Sequence, residues 1–111
     1  MSRPLSEFRG MWLFTLFDLP VDTKARRRDA ANFRKELLKR GFQMLQYSVY
    51  AQYFPSEESC SACRSQVKCI VPKDGQVRIM AVTDHQFGKM DVFQGKTILK
   101  AEPPPEQLLL F

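Results

Sequence analysis

From residue 11 to residue 17 the chain is apolar at every position but one. The run is Met11-Trp12-Leu13-Phe14-Thr15-Leu16-Phe17, and it ends in Asp18-Leu19-Pro20. A strand with clean alternation buries one face; a near-continuous apolar run buries both. This segment therefore predicts a central strand over 11–18, with a neighbour on each edge and a layer on each face. Asp18 closes the strand. A carboxylate there is costly unless it sits at the rim or meets a cation. Cations follow at once, as Lys24, Arg26, Arg27 and Arg28. An acid able to hold a metal beside a surface able to hold phosphate points to phosphodiester chemistry or nucleic-acid binding. Alternatively, Asp18, Pro20 and Asp22 do no more than turn the strand into a helix.

The rest of the order is legible from period and punctuation. Residues 1–10 are a loose polar extension. A helix is expected over 23–40, stopped by Gly41. Two aromatic-rich strands follow, over 42–45 and 48–53, joined tightly around Gln46-Tyr47. A second helix covers 56–71, ahead of Pro72. Pro72-Lys73-Asp74-Gly75 reads as a turn and 76–83 as a strand. A loop with Asp84, His85 and Gly88 comes next, then a short strand from Val92. Pro103-Pro104-Pro105 is a stiff spacer before Leu108-Leu109-Leu110-Phe111. The order βαββαβ predicts an α+β ferredoxin-like sandwich over 11–100, with two helices on one sheet face. Trp12, Phe14 and Leu16 fall on one face of the first strand, and Met11, Leu13, Thr15 and Phe17 on the other. Helices can cover only one of these apolar sets. Whichever set the helices leave is expected to pack on another copy of the chain, a homodimer joined through sheet faces. A sheet face that stacks bases, as in RNA-binding modules, is the alternative, but it would alternate with polar positions.

At 111 residues and 44% hydrophobic, the chain is one domain with a core. The net charge of +5 favours an anionic partner. No apolar run approaches the roughly 18 residues of a membrane span. Residues 1–10 hold no apolar signal core, so a cytoplasmic protein without a membrane partner is expected. Cys60, Cys63 and Cys69 invite a zinc reading. However, Cys60, Cys63, Val67 and Ile70 recur at helical spacing, behind a Ser56 cap, as core residues do. His85 is the one nitrogen donor for a metal that usually wants four ligands.

The charge is concentrated. Lys24 to Arg40 holds eight basic residues against Asp29 and Glu36, a net of +6. At about 100° per residue, Ala30, Phe33 and Leu37 face inward. Lys24, Arg28, Lys35 and Lys39 face outward, and Arg27 and Arg34 border the apolar stripe. Arg26 is expected near the end of the first strand, as a partner for Asp18 or for a phosphate beside it. Together these residues form a candidate nucleic-acid surface that contacts phosphate, tolerates sequence and weakens with salt.

Several of these blocks, in this order, resemble the small CRISPR-associated adaptation protein family, the second of the two near-universal ones. They are Phe17-Asp18-Leu19-Pro20, Thr23-Lys24-Ala25-Arg26-Arg27-Arg28 and Phe33-Arg34-Lys35-Glu36-Leu37. Gly41-Phe42-Gln43-Met44-Leu45-Gln46-Tyr47-Ser48-Val49-Tyr50 and Val82-Thr83-Asp84, with Gln86-Phe87 and Met90, complete the set. The wording is most similar to members from systems with a single large effector nuclease. The resemblance implies a homodimer with last strands exchanged or added across its interface. It implies the CRISPR integrase subunit as a partner, and a role bridging integrase dimers around prespacer duplex DNA. It also implies a Mg²⁺-dependent endonuclease centre for single-stranded RNA or duplex DNA, with Asp18 of each copy on one shared ion. Phe17 stands where many members carry Tyr, so a hydroxyl is missing beside Asp18. Ser48 is a candidate to position a phosphate. Leu108, Leu109, Leu110 and Phe111 are a candidate docking strand for the integrase or for the chain's own dimer. A toxin-like, stand-alone metal-dependent endoribonuclease is the other reading of the same architecture.

Overall fold

A central strand as greasy as residues 11–17 needs partners on both edges, and it has them. The computed structural model describes residues 10–105. Strand β1 (Met11–Asp18) leads into helix α1 (Lys24–Lys39). The strands β2 (Gln43–Gln46) and β3 (Val49–Phe54) precede helix α2 (Glu57–Lys68) and strand β4 (Gln76–Thr83). The sheet order is β2-β3-β1-β4, with every pairing antiparallel. This is the ferredoxin-like α+β arrangement. A short helix α3 (Asp84–Gly88) and a hairpin of β5 (Val92–Gln94) and β6 (Thr97–Leu99) complete the described chain. Apart from Gly10, the N-terminal extension lies outside the described residues, as does the tail Leu108–Phe111.

Local chemistry explains the helix ends. The Thr23 hydroxyl accepts the Arg26 N–H at 3.1 Å and opens α1. Gly41, at φ +96°, turns the chain out of it. Ser56 caps α2 by accepting the Ser59 N–H at 3.2 Å, with Glu57 and Glu58 in the first turn, where the helix dipole favours acids. This helix stops at Lys68, short of residue 71.

Two clusters fill the two sides of the sheet. On the helix side, Leu13 and Phe17 of β1 pack with Phe33 and Leu37 of α1, and with Cys60, Cys63 and Val67 of α2. On the far side, Trp12 and Phe14 pack with Ala51, Tyr53, Phe87 and Ala101. The assignment of the β1 residues to two faces holds, but the expected cover differs. The segment 84–88 is a helix, not a loop. The Thr83 side chain and the Gln86 side chain cap it reciprocally, at 3.0 and 2.9 Å. It lays Phe87 on Trp12 with ring centroids 3.9 Å apart and planes 7° from parallel. The Trp12 indole N–H donates to the buried Asp84 carboxylate at 2.7 Å. The chain itself thus seals this end of the far face with Phe87 and Ala101, where a second copy is the sequence-based expectation. Met80, Phe93 and Ile98 stay exposed.

A further difference is the β2–β3 turn. It centres on Tyr47 and Ser48, one residue later than expected, with Ser48 at φ +67°. Positive φ in a residue other than glycine is uncommon. The turn is held from below, where the Phe17 N–H donates to the Ser48 carbonyl at 3.1 Å.

Candidate nucleic-acid interface and the Asp18 strand end

The inward face of α1 is Ala30, Phe33 and Leu37, each at most 2% exposed. Its outer face follows from the helical period. Lys24, Arg27, Arg28, Lys35 and Lys39 are all exposed. None of Lys24, Arg28, Lys35 and Lys39 has an ion-pair partner among the described residues. The Arg27 guanidinium is anchored on the Val21 carbonyl at 3.1 Å, with edges left for solvent.

The other arginines of the helix are engaged by neighbours within the chain. Arg26 does not meet Asp18. It donates to both oxygens of Asp22 at 3.1 Å and to Asp74 at 3.4 Å. The reason is parity. Side chains alternate along β1. Asp18 therefore shares the far face with Leu16, whereas α1 lies over Phe17. Arg26 instead ties the β1–α1 loop to the α2–β4 turn. The pair holds the Asp22 carboxyl below its ordinary range, chiefly through that hydrogen bond. Arg40 plays a similar local part, pairing with Glu36 one turn back and lowering its carboxyl.

Arg34 reaches neither acid. Its guanidinium carbon lies 5.0 Å from the centre of the Tyr47 ring and 5.8 Å from that of Phe17. One of its nitrogens donates to the Tyr47 hydroxyl at 3.1 Å. Ser48 sits in the turn ahead of β3 and is half-buried. Its carbonyl takes the Phe17 N–H.

Asp18 is exposed at the end of β1, across from Gln76 of β4. A shallow cleft there is lined by Leu16, Phe17, Asp18, Gln76 and Arg78. No salt bridge occupies Asp18 among the described residues. Arg78 lies across from Leu16 on the same face and donates to Gln76 at 3.3 Å. Gln76, Arg78 and Tyr47 were absent from the sequence-derived site. The first two were findable, because antiparallel register puts polar alternate positions of β4 beside the Asp18 end. Tyr47 showed only as an aromatic in a turn.

The metal question turns on donor count. Among the described residues there is no group of three or more His, Cys, Asp or Glu side chains able to hold an ion. Asp18 alone does not make a Mg²⁺ site, since that ion wants a near-octahedral oxygen shell. Cys60 and Cys63 are buried among apolar neighbours, which pushes both thiols up. They are core residues, as their spacing suggested. No helix in the described residues is long and apolar enough to cross a membrane.

The family model described as CRISPR associated protein Cas2 matches residues 11–90. A relative from Parvibaculum lavamentivorans is 43% identical over 101 residues, covering 91% of this chain and all of that protein. One from Paracidovorax avenae is 40% identical over 107 residues, covering 96% and 99%. One from Flavobacterium psychrophilum is 37% identical over 107 residues, covering 96% and 93%. Each carries the name CRISPR-associated endoribonuclease Cas2. On a match that starts with β1 and runs beyond α3, this chain belongs to the Cas2 family of CRISPR-associated proteins.

Proposed function

We propose that this protein is a homodimeric subunit of CRISPR spacer acquisition that holds prespacer duplex DNA along α1 and bridges integrase subunits. The observation that carries this reading is that Lys24, Arg28, Lys35 and Lys39 share one exposed helix face with no ion-pair partner among the described residues. Four cations without an ion-pair partner among the described residues suit a polyphosphate backbone. Exposed Met80, Phe93 and Ile98 support a second copy on the unsealed part of the structure. The tail Leu108–Phe111 is our candidate integrase contact.

Asp18 supports a hydrolytic activity as well, in keeping with the endoribonuclease name of the relatives. Two Asp18 carboxylates from two copies would hold one Mg²⁺, which supplies charge stabilisation and an acidic bound water. In one protomer Asp18 and the charged face of α1 lie on opposite sides of the sheet. A strand gripped by α1 is therefore not thereby delivered to the Asp18 of the same copy. This separation favours binding as the principal role, with cleavage subordinate to it.

The test compares wild type, K24E/R28E/K35E/K39E and Asp18→Ala. Duplex binding should fall roughly 10³–10⁵-fold between 50 and 200 mM salt if the helices of two copies neutralise about eight phosphates. The fourfold reversal should abolish it, and Asp18→Ala should leave it intact. Undiminished binding by a folded fourfold variant would remove the α1 surface from the account. Metal-dependent cleavage lost in Asp18→Ala, with binding retained, would establish the hydrolytic activity.

A further inference from the structure

We infer that Tyr47, bracketed by Arg34, is a stacking platform for an unpaired nucleobase. Tyr47 is 76% exposed, the most exposed large apolar or aromatic side chain among the described residues. An aromatic ring this far out on a turn has little to pack on. This one is nevertheless held. Arg34 lies 5.0 Å from its centre and donates to its hydroxyl at 3.1 Å. The same guanidinium meets the Phe17 ring at 5.8 Å. The turn beneath is fixed by the unusual φ of Ser48 and by the Phe17 N–H on the Ser48 carbonyl. Ring, cation and turn are thus arranged before any ligand arrives.

The chemistry of that arrangement selects its ligand. A rigid, solvent-facing phenol ring beside a guanidinium offers stacking and cation–π attraction to any base with a free face. Bases inside a duplex have both faces covered, so the ligand is an unpaired nucleotide of a single strand or overhang. Stacking and cation–π attraction act on the face of the base, so the site tolerates sequence. The Nε of Arg34 is buried and unpartnered, and the side chain is half-buried. Arg34 therefore acts through the bracket more than as one more free cation of the helix. Arg27 lies seven residues earlier on the same flank of α1 and is exposed. A strand leaving the charged face of α1 meets a cation first and the Tyr47 ring next. This placement rests on the proposed role of α1, but the stacking itself does not.

The experiment uses the full chain with three probes. They are a blunt duplex, the same duplex with a single-stranded overhang, and a short oligouridylate carrying one fluorescent purine analogue whose emission stacking quenches. Tyr47→Ala should weaken overhang and single-strand binding by about tenfold, within the ~5–150-fold that one base–aromatic stack commands, and should remove the quench. Tyr47→Phe should keep both within about twofold, because the ring remains. Blunt-duplex binding should not change in either variant. An unchanged quench in Tyr47→Ala, or equal losses on all three probes, would overturn the platform. If wild type fails to bind the blunt duplex yet quenches the single-strand probe, the α1 reading falls and the platform stands.

Discussion

Gly75 packs against the main-chain oxygen of Asp18 so closely that a methyl group on it would sit 2.7 Å from that atom. The same methyl would lie 2.9 Å from the Leu19 side chain and from Pro20. With φ at +90°, Gly75 also holds a conformation that other residues rarely adopt. The α2–β4 turn thereby presses on the strand end that carries the carboxylate. Gly75→Ala should cost about 2–3 kcal/mol, combining backbone strain with a clash against main chain. Denaturant unfolding checks this. The residual folded protein should lose any Asp18-dependent cleavage while keeping duplex binding on α1.

Phe87 is the lid of the far cluster, stacked on Trp12 and touching Phe14. Phe87→Ala should destabilise the fold by about 3–5 kcal/mol, as large-to-small changes of a buried aromatic do. Trp12 would then lie against water, so its emission in the folded protein should shift to the red. An unshifted spectrum would mean that other groups close the gap.

Asp22 and Glu36 have lowered carboxyl pKa values, mainly through hydrogen bonds from Arg26 and Arg40. A lowered folded-state pKa means that the unfolded chain takes up the proton first as pH falls. The contribution is therefore complete above the ordinary carboxyl range and is lost on acidification through the folded values. Melting temperature should decline below about pH 4 to 5, and Asp22→Asn should flatten part of that decline. Both pairs are solvent-facing, so the effect should also shrink in high salt.

The cysteines separate by reactivity. Cys69 is exposed, with its thiol donating to the Ser65 carbonyl, whereas Cys60 and Cys63 are buried. A thiol reagent at neutral pH should modify one cysteine in the native protein and all three after denaturation. Burial raises the Cys60 and Cys63 thiols, so the unfolded chain loses those protons first as pH rises. Stability should therefore fall in alkali, above the ordinary thiol range, and Cys60→Ala/Cys63→Ala should remove that part of the dependence.

The strand β1 was readable to the residue because its apolar run is set by burial in the sheet, and β4 because its half-buried Val77, Ile79 and Ala81 alternate with exposed positions. The helix α1 was readable because its inward positions repeat with the helical period. What escaped depends on distance in the chain. Arg26 was matched to Asp18 on proximity, but strand parity sends Asp18 to the other face and brings in Asp74, 48 residues away. The helix α3 is short, and its Gly88 and His85 read as loop, although Thr83 and Gln86 carry the spacing of a capping box. The self-sealing of the far face needed Phe87 and Ala101 to fold back, which no local pattern announces. Tyr47 and Ser48 slipped by one position because a serine takes a backbone angle usually left to glycine.

The strand order also sets a timetable. β1 is made first among the strands, yet its second edge is covered only by β4, whose last residue is Thr83. Some 65 residues separate Asp18 from that point. At roughly 5–20 residues per second, synthesis leaves the greasiest strand with an open edge for about 3–13 s. During that interval the nascent protein is most exposed to wrongful pairing, and its dependence on chaperones or slow induction should be greatest before β4 emerges.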